Sequence, residues 1–340
     1  MTHLPVGAGV VLAVESRGPE AARSVLFAHG FGQSRHAWKR AAETFAARGW
    51  RTVTFDARGH GDSSRVAGGD YELKQFVDDL LVVARSLGAP PVLVGASMGG
   101  LLGLAAAGET RPDPFRALVL VDITPRWEAA GVERMLGFMR AHPQGFASLD
   151  EAAGEVAVYL PQRRRRKGRH ELAQLLRRGE DGRLSWHWDP AMLDTVAREG
   201  ERQQQRLMDA ARNLDVPVLL ITGGQSDVVS DATVREFLQA VPHARNVEVA
   251  SATHMLAGDD NAAFTAAIEP FLNTLAERSP RAPAEGARSL ETAKSRIAEA
   301  SRSSDRAGEG TMSGRDSTPS RTLTPTPLPP EEGLSTRGVQ

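Results

Sequence analysis

The chain has no cysteine, which excludes disulfides, thiolate nucleophiles and cysteine-ligated metals. Any covalent catalyst must therefore be Ser, Thr, Asp, Glu, Lys, His or Tyr. Nor does one sign of charge dominate: 41 basic side chains face 42 acidic ones over 340 residues, a formal net charge of -1. A protein so balanced lacks the global basic field that drives nonspecific phosphate binding, and nucleic acid is not an expected partner. Long apolar runs are missing too. No stretch reaches the ~20 residues needed to span a bilayer, and residues 1–18 lack a basic segment leading into an apolar one. The expectation is a cytoplasmic protein with no membrane partner.

Aromatic residues are scarce, at 5%, and they stop altogether beyond residue 278. From 279 to 340 the chain runs to Pro, Ser, Thr, Arg, Gly and Glu, a composition that buries too little apolar surface to offset its ordering entropy. This stretch reads as a disordered tail. Residues 290–300 have a thin apolar helical face, and 322–330 alternate Thr and Pro, which favours extended conformers.

Before that boundary, short β-branched runs alternate with amphipathic helical patterns, the signature of an α/β fold with a mostly parallel central sheet flanked by helices. Strands are expected at 10–14, 24–28, 52–55, 92–94, 117–121, 216–221 and 246–249. Helices are expected at 37–48, 73–87, 98–107, 232–240 and 262–275, where apolar residues recur at three- and four-residue intervals. The alternation fails between 124 and 213. That segment has helical periodicity, no convincing strand, and several of the large aromatics, among them Trp127, Phe138, Phe146, Tyr159, Trp186 and Trp188. It reads as a helical cap inserted into a core formed by 1–123 and 214–278.

The chemistry gathers at strand ends. Gly95-Ala96-Ser97-Met98-Gly99 follows an apolar strand and opens a small-residue helix, the context of a nucleophile elbow. A serine hydroxyl is a poor nucleophile at neutral pH, so a histidine must take its proton and a carboxylate must hold that histidine's tautomer. His254, after the strand at 246–249, is the candidate base. Asp227, in the loop after the strand at 216–221, is the candidate acid, with Asp122, which closes the strand at 117–121, as the alternative. An acyl-transfer site also needs backbone donors for an oxyanion. The amide of Met98 supplies one, and that of Phe31, in His29-Gly30-Phe31-Gly32, the second. His29 and His60 precede the nucleophile and read as loop-shaping residues, while Asp259 and Asp260 read as N-terminal carboxylates of the last helix. In the cap, Leu136, Met139 and Trp188 are candidates for the substrate pocket wall, or else for the cap's own core. The basic run at 163–167, with Arg169 nearby, reads as a solvated cap surface, with attraction of an anionic substrate as the alternative.

His29-Gly30-Phe31-Gly32, then Asp56-Ala57-Arg58-Gly59-His60-Gly61-Asp62-Ser63, then the elbow, with Asp227 and His254 following, resemble the α/β-hydrolase superfamily over about residues 8–278. The chain looks like the capped group often labelled epoxide hydrolase, cofactor-free haloperoxidase or carbon-carbon bond hydrolase. Epoxide hydrolases and haloalkane dehalogenases attack with an aspartate at the elbow. Ser97 departs from that pattern and points to esters, thioesters, lactones or activated ketones. The reading is a serine hydrolase that cleaves a small to medium carboxylic ester through an acyl-enzyme, with no metal and no organic cofactor. Carbon-carbon cleavage or cofactor-free elimination on the same triad stands as the alternative within the fold, and a non-catalytic ligand sensor as the alternative outside catalysis. The small-molecule substrate is not named by any motif, and oligomeric state is left open.

Truncation after residue 278 is expected to change melting temperature and ester turnover little, because the tail has almost no apolar surface to contribute. A large fall in melting temperature of the truncated chain would contradict this.

Overall fold

Eight strands form one sheet in the computed structural model, which describes residues 1–161, 168–250, 252–254 and 261–277. The chain divides between Arg278 and Ser279, and the tail of the sequence reading lies outside the described residues. So do the basic run at 163–167 and the pair Asp259 and Asp260. The sheet runs β1 (Thr2–Gly7), β2 (Val10–Arg17), β4 (Arg51–Phe55), β3 (Ser24–Ala28), β5 (Val92–Ala96), β6 (Ala117–Val121), β9 (Val218–Gly223), β10 (Arg245–Val249). The first two pairings, β1 with β2 and β2 with β4, are antiparallel, and every other neighbour is parallel. Strands β5 and β6 are buried at every position, as continuous apolar strands covered on both faces must be.

Two apolar layers close the sheet. On one side α2 (Leu73–Arg85) and α3 (Met98–Glu109) pack against Leu26, Leu93, Leu118 and Leu120; on the other, α1 (Lys39–Ala47) and α9 (Asn261–Glu277) cover Val25, Val94, Val119 and Ile221. α8 (Asp231–Ala240) contributes Phe237 to the first layer. All seven expected strands and all five expected helices are present. β1 was not foreseen: its exposed, alternating residues pair only with β2, and an edge strand of that kind carries little apolar signal.

The insertion between β6 and β9 holds α4 (Ala129–Arg140), α5 (Leu149–Tyr159), α6 (Arg169–Ala173) and α7 (Met192–Arg212). It also contains a two-stranded hairpin, β7 (Leu176–Arg178) with β8 (Leu184–Trp186), where no strand was expected. Three-residue strands are too short to show a period of two, which is why they escaped notice. α7 belongs to both parts of the molecule. Its C-terminal half, with Leu207, Met208, Ala210 and Ala211 buried, lies against α3 so closely that a methyl on Gly108 would sit 2.1 Å from the Ala210 carbonyl oxygen.

The loop after β4 is anchored by ion pairs out of water. Arg58 donates from Nε and Nη2 to the two carboxylate oxygens of Asp79 on α2, each at 2.7 Å, and both side chains are buried. Burial pushes the Asp79 carboxyl up while Arg58 opposes it. Removing one partner of such a pair leaves an uncompensated buried charge. Arg58→Met is expected to cost about 3–5 kcal/mol in urea unfolding, and Arg58→Met with Asp79→Leu to recover much of that loss.

Candidate active site

The register of the central strands sets three loops side by side. Ala96 of β5 pairs with Val121 of β6, and Val121 with Ile221 of β9, so Ser97, Asp122 and the loop starting at Gly223 leave the sheet at the same edge. Ser97 adopts φ 46° and ψ -117°, a left-handed conformation that a non-glycine residue holds only under tertiary constraint. The constraint is visible in its neighbours. A Cβ on Gly95 would lie 2.4 Å from the Gly99 carbonyl oxygen, and one on Gly99 2.4 Å from that of Ala28. The amide of Ser97 donates to Val121 at 3.1 Å, and Met98 follows as the first residue of α3, where helix amides lack intrahelical partners.

His254 donates from Nδ1 to Asp122 Oδ2 at 2.8 Å. Asp122, the alternative acid of the sequence reading, is wholly buried, and His254 is 17% exposed. Asp122 is itself in the left-handed region, at φ 50°, held by its own amide on the Ile221 carbonyl at 2.7 Å. Its Oδ1 accepts from the Gly223 amide at 2.7 Å, and Oδ2 also accepts the Ser226 hydroxyl at 2.6 Å. The Ser226 oxygen in turn accepts from the amides of Val228 and Val229, at 3.2 Å each. A carboxylate that only accepts puts the proton of His254 on Nδ1, which leaves Nε2 as the ring's acceptor.

Asp227, the expected acid, is elsewhere. Its carboxylate receives Arg134 of α4, Nε at 2.9 Å with Nη2 on the same oxygen, and is 37% exposed. The carboxylate on His254 is Asp122, because β6 lies between β5 and β9 and its end points at the histidine loop, whereas Asp227 comes four residues past the end of β9 and faces the insertion. Ser226, one residue earlier, was not singled out. The sequence signal for it was a polar residue in a strand-end loop, which many surface serines share.

His29-Gly30-Phe31-Gly32 reaches the elbow: a methyl on Gly30 would be 3.4 Å from Ser97 Cβ. Two buried histidines shape this loop. His60 donates from Nδ1 to the Arg58 carbonyl at 3.0 Å and accepts the Gly32 amide on Nε2 at 3.1 Å. His29 donates from Nδ1 to the Gly30 carbonyl at 2.8 Å and accepts the Ala57 amide on Nε2 at 2.9 Å. A carbonyl can only accept and an amide only donate, so both rings are neutral in these roles. Burial holds both below the usual histidine pKa, His60 well below it, with the neighbouring His29 and His187 rings adding to the effect at His60.

Ser97, Met98, Phe31 and His254 wall one cavity of about 150 Å³, together with Trp127, Val132, Met135, Met192, Val196 and Leu207 among others. The three expected pocket residues are not on this wall. Leu136, Met139 and Trp188 are buried in the core, where Trp188 stacks on Trp186 at 4.8 Å. Met139 Cε and Trp188 press on Gly32 from above, 2.9 and 3.7 Å from where its Cβ would stand. Val132, Met135, Leu136 and Met139 share one face of α4 at 3.6 residues per turn, so the difference lies along the helix: Val132 and Met135 reach the cavity, and Met139, a turn further on, reaches Gly32. Arg169 pairs with Asp150 on the exposed surface. Among the described residues no group of three or more His, Asp or Glu is arranged to hold a metal ion, and no helix is long and apolar enough to cross a membrane.

The neutral histidines carry a pH signature. Below the unfolded histidine pKa of about 6.5 the unfolded chain takes up protons that buried His29 and His60 refuse, so stability falls as pH drops, by at most about 1.4 kcal/mol per pH unit for each ring. His60→Gln should flatten the pH dependence of urea-unfolding free energy between pH 6.5 and 5. An unchanged slope would show that His60 is not one of the groups responsible.

Comparison with known proteins agrees with this architecture. The family model described as alpha/beta hydrolase fold matches residues 23–260. The sn-1-specific diacylglycerol lipase of Mus musculus is 30% identical over 73% of this chain and 80% of its own length. An esterase of Mycobacterium tuberculosis is 28% identical over 79% and 88%. Among solved structures, E-2-(acetamidomethylene)succinate hydrolase superposes with a TM-score of 0.69 at 25% identity, covering 79% of this chain and 98% of that one. With the family model spanning the elbow, the buried carboxylate and the histidine, the chain belongs to the α/β-hydrolase fold family.

Proposed function

We propose that the chain is a serine esterase acting through an acyl-enzyme on Ser97, with His254 as general base and Asp122, in place of Asp227, as the acid. The observation that carries this reading is the 2.8 Å bond from His254 Nδ1 to the buried Asp122 carboxylate, with His254 and Ser97 both lining one apolar cavity. Esterases and lipases among the relatives support the same class of reaction.

The chemistry follows from the tautomer. As the Ser97 oxygen bonds to the ester carbonyl carbon, its proton passes to His254 Nε2, and the resulting imidazolium is stabilised by the Asp122 carboxylate through Nδ1–H. The carbonyl electron pair moves onto oxygen, where the amides of Met98 and Phe31 receive it. Collapse breaks the bond to the alcohol oxygen, which takes the proton from Nε2 and leaves. Water then repeats the sequence on the acyl-enzyme, with His254 again accepting a proton and returning it to Ser97. Thioesters and lactones present the same carbonyl and pass through the same steps. The insertion, residues 124–213, acts as the cap that covers the reacting atoms.

Ranking the two aspartates tests the assignment. Asp122→Asn is expected to lower kcat on a p-nitrophenyl ester by about 10⁴, because an amide can hold the imidazole in the wrong tautomer. Asp227→Asn should change it by less than about tenfold, since Asp227 meets Arg134 and not the histidine. The reverse order would return the acid to Asp227. Ser97→Ala should abolish labelling by a fluorophosphonate along with turnover, and persistent turnover would overturn the covalent route.

A further inference from the structure

α7 lays one face along the cavity. Met192, Thr195, Val196, Gly200, Gln203 and Leu207 all line it, at spacings of three, one, four, three and four residues, which is a single helical stripe about 22 Å long at 1.5 Å per residue. Gly200 stands near the middle of this 21-residue helix. A glycine there costs about 1 kcal/mol of helix stability relative to alanine, and packing does not demand it. Its φ is not in the left-handed region, and an added Cβ would meet one neighbour within 4 Å, Trp127 Cζ2 at 3.6 Å, an ordinary contact. A methyl would fit, yet none is present. The room beside Trp127 is therefore part of the cavity and not a requirement of the fold.

Among the described residues the wall carries almost no ionisable group. Apart from His254, none of the described residues that line the cavity carries an ionisable acid or base other than Tyr71, whose hydroxyl donates to Asp189 at 2.7 Å. Burial, with Asp189 adding to it, raises that hydroxyl to about 12, so it is neutral at working pH. A carboxylate carried on the substrate's apolar group would be taken out of water there with no cation among the described lining residues to meet it.

Resting on the esterase reading above, we infer that Gly200 and Trp127 together set the length of substrate chain the site accepts, and that this chain is neutral and about six carbons long. A cavity near 150 Å³ holds roughly one benzene, which sets the carbon count. Chains beyond that length meet the Trp127 indole, and a larger side chain at position 200 fills the space the terminal carbons occupy.

The test uses the full chain and p-nitrophenyl esters from acetate to dodecanoate, together with the mono-p-nitrophenyl ester of adipic acid. For the wild type, kcat/KM should peak near hexanoate and fall at least about tenfold by dodecanoate, each lost methylene contact being worth a factor of about four. The adipate monoester should be at least about 100-fold poorer than hexanoate. Gly200→Leu should cut the hexanoate-to-acetate ratio at least about tenfold and move the optimum to shorter chains. Gly200→Ala should fall between the two, with a melting temperature equal to or above the wild type, which separates a filled pocket from a damaged fold. A flat chain-length profile, an unshifted optimum in Gly200→Leu or equal turnover of the adipate ester would each overturn the inference while leaving the esterase reading intact. No turnover of any ester would overturn both.

Discussion

A carboxylate out of water must have its lone pairs met by donors, and at Asp122 three donors come from two separate parts of the chain: the Gly223 amide at the end of β9 with the Ser226 hydroxyl just beyond it, and Nδ1 of His254. Each bond does double work. The first two tie β6 to the loop after β9, and the third fixes where the histidine can stand. Loss of any one leaves a buried negative charge short of a partner, a penalty larger than the worth of an ordinary hydrogen bond. The site and the local fold at this sheet edge therefore share one set of contacts.

A second set, built from neutral imidazoles, supports the opposite side of the elbow. His29 and His60 each bridge a carbonyl and an amide, joining the 29–32 loop to the loop after β4. That second loop is itself held by Arg58 on Asp79 and by Arg35 on Asp56. The insertion rests on this assembly from above, Met139 and Trp188 over Gly32 and the Asp189 amide on the Gly59 carbonyl at 2.8 Å. Rigid backbone donors need this kind of support, because an oxyanion is stabilised by dipoles already in place.

The contact between Arg134 and Asp227 gives the loop after β9 a different task from its neighbour residue. Ser226 turns inward to the Asp122 carboxylate, while Asp227 turns outward to α4, with the Arg134 guanidinium lying 5.1 Å from the Tyr159 ring centroid. At 37% and 49% side-chain exposure the pair is well solvated, and screening leaves such a contact little energy. It positions the insertion at the loop more than it stabilises the whole.

Much of this was written in the linear chain. Sheet and helix order followed from periodicity, and the elbow from glycines that admit no side chain, since both signals are local: a strand or a turn declares itself within a few residues. Ser97, Met98, Phe31 and His254 come together as candidates because each lies within a few residues after a strand that sequence alone could locate. Choosing between Asp122 and Asp227 was a different problem. Both follow strands that end at the same edge, and only the lateral order β5, β6, β9 with its register decides which carboxylate meets the histidine. The pocket wall escaped for a similar reason. Hydrophobicity marks Leu136, Met139 and Val132 alike as buried on one face of α4, but what lies opposite each turn of that helix, set by packing against the rest of the chain, decides that Val132 and Met135 meet the cavity while Met139 presses on Gly32. Sequence determined which residues had to leave water; tertiary packing decided what each one met there, because that depends on neighbours distant along the chain.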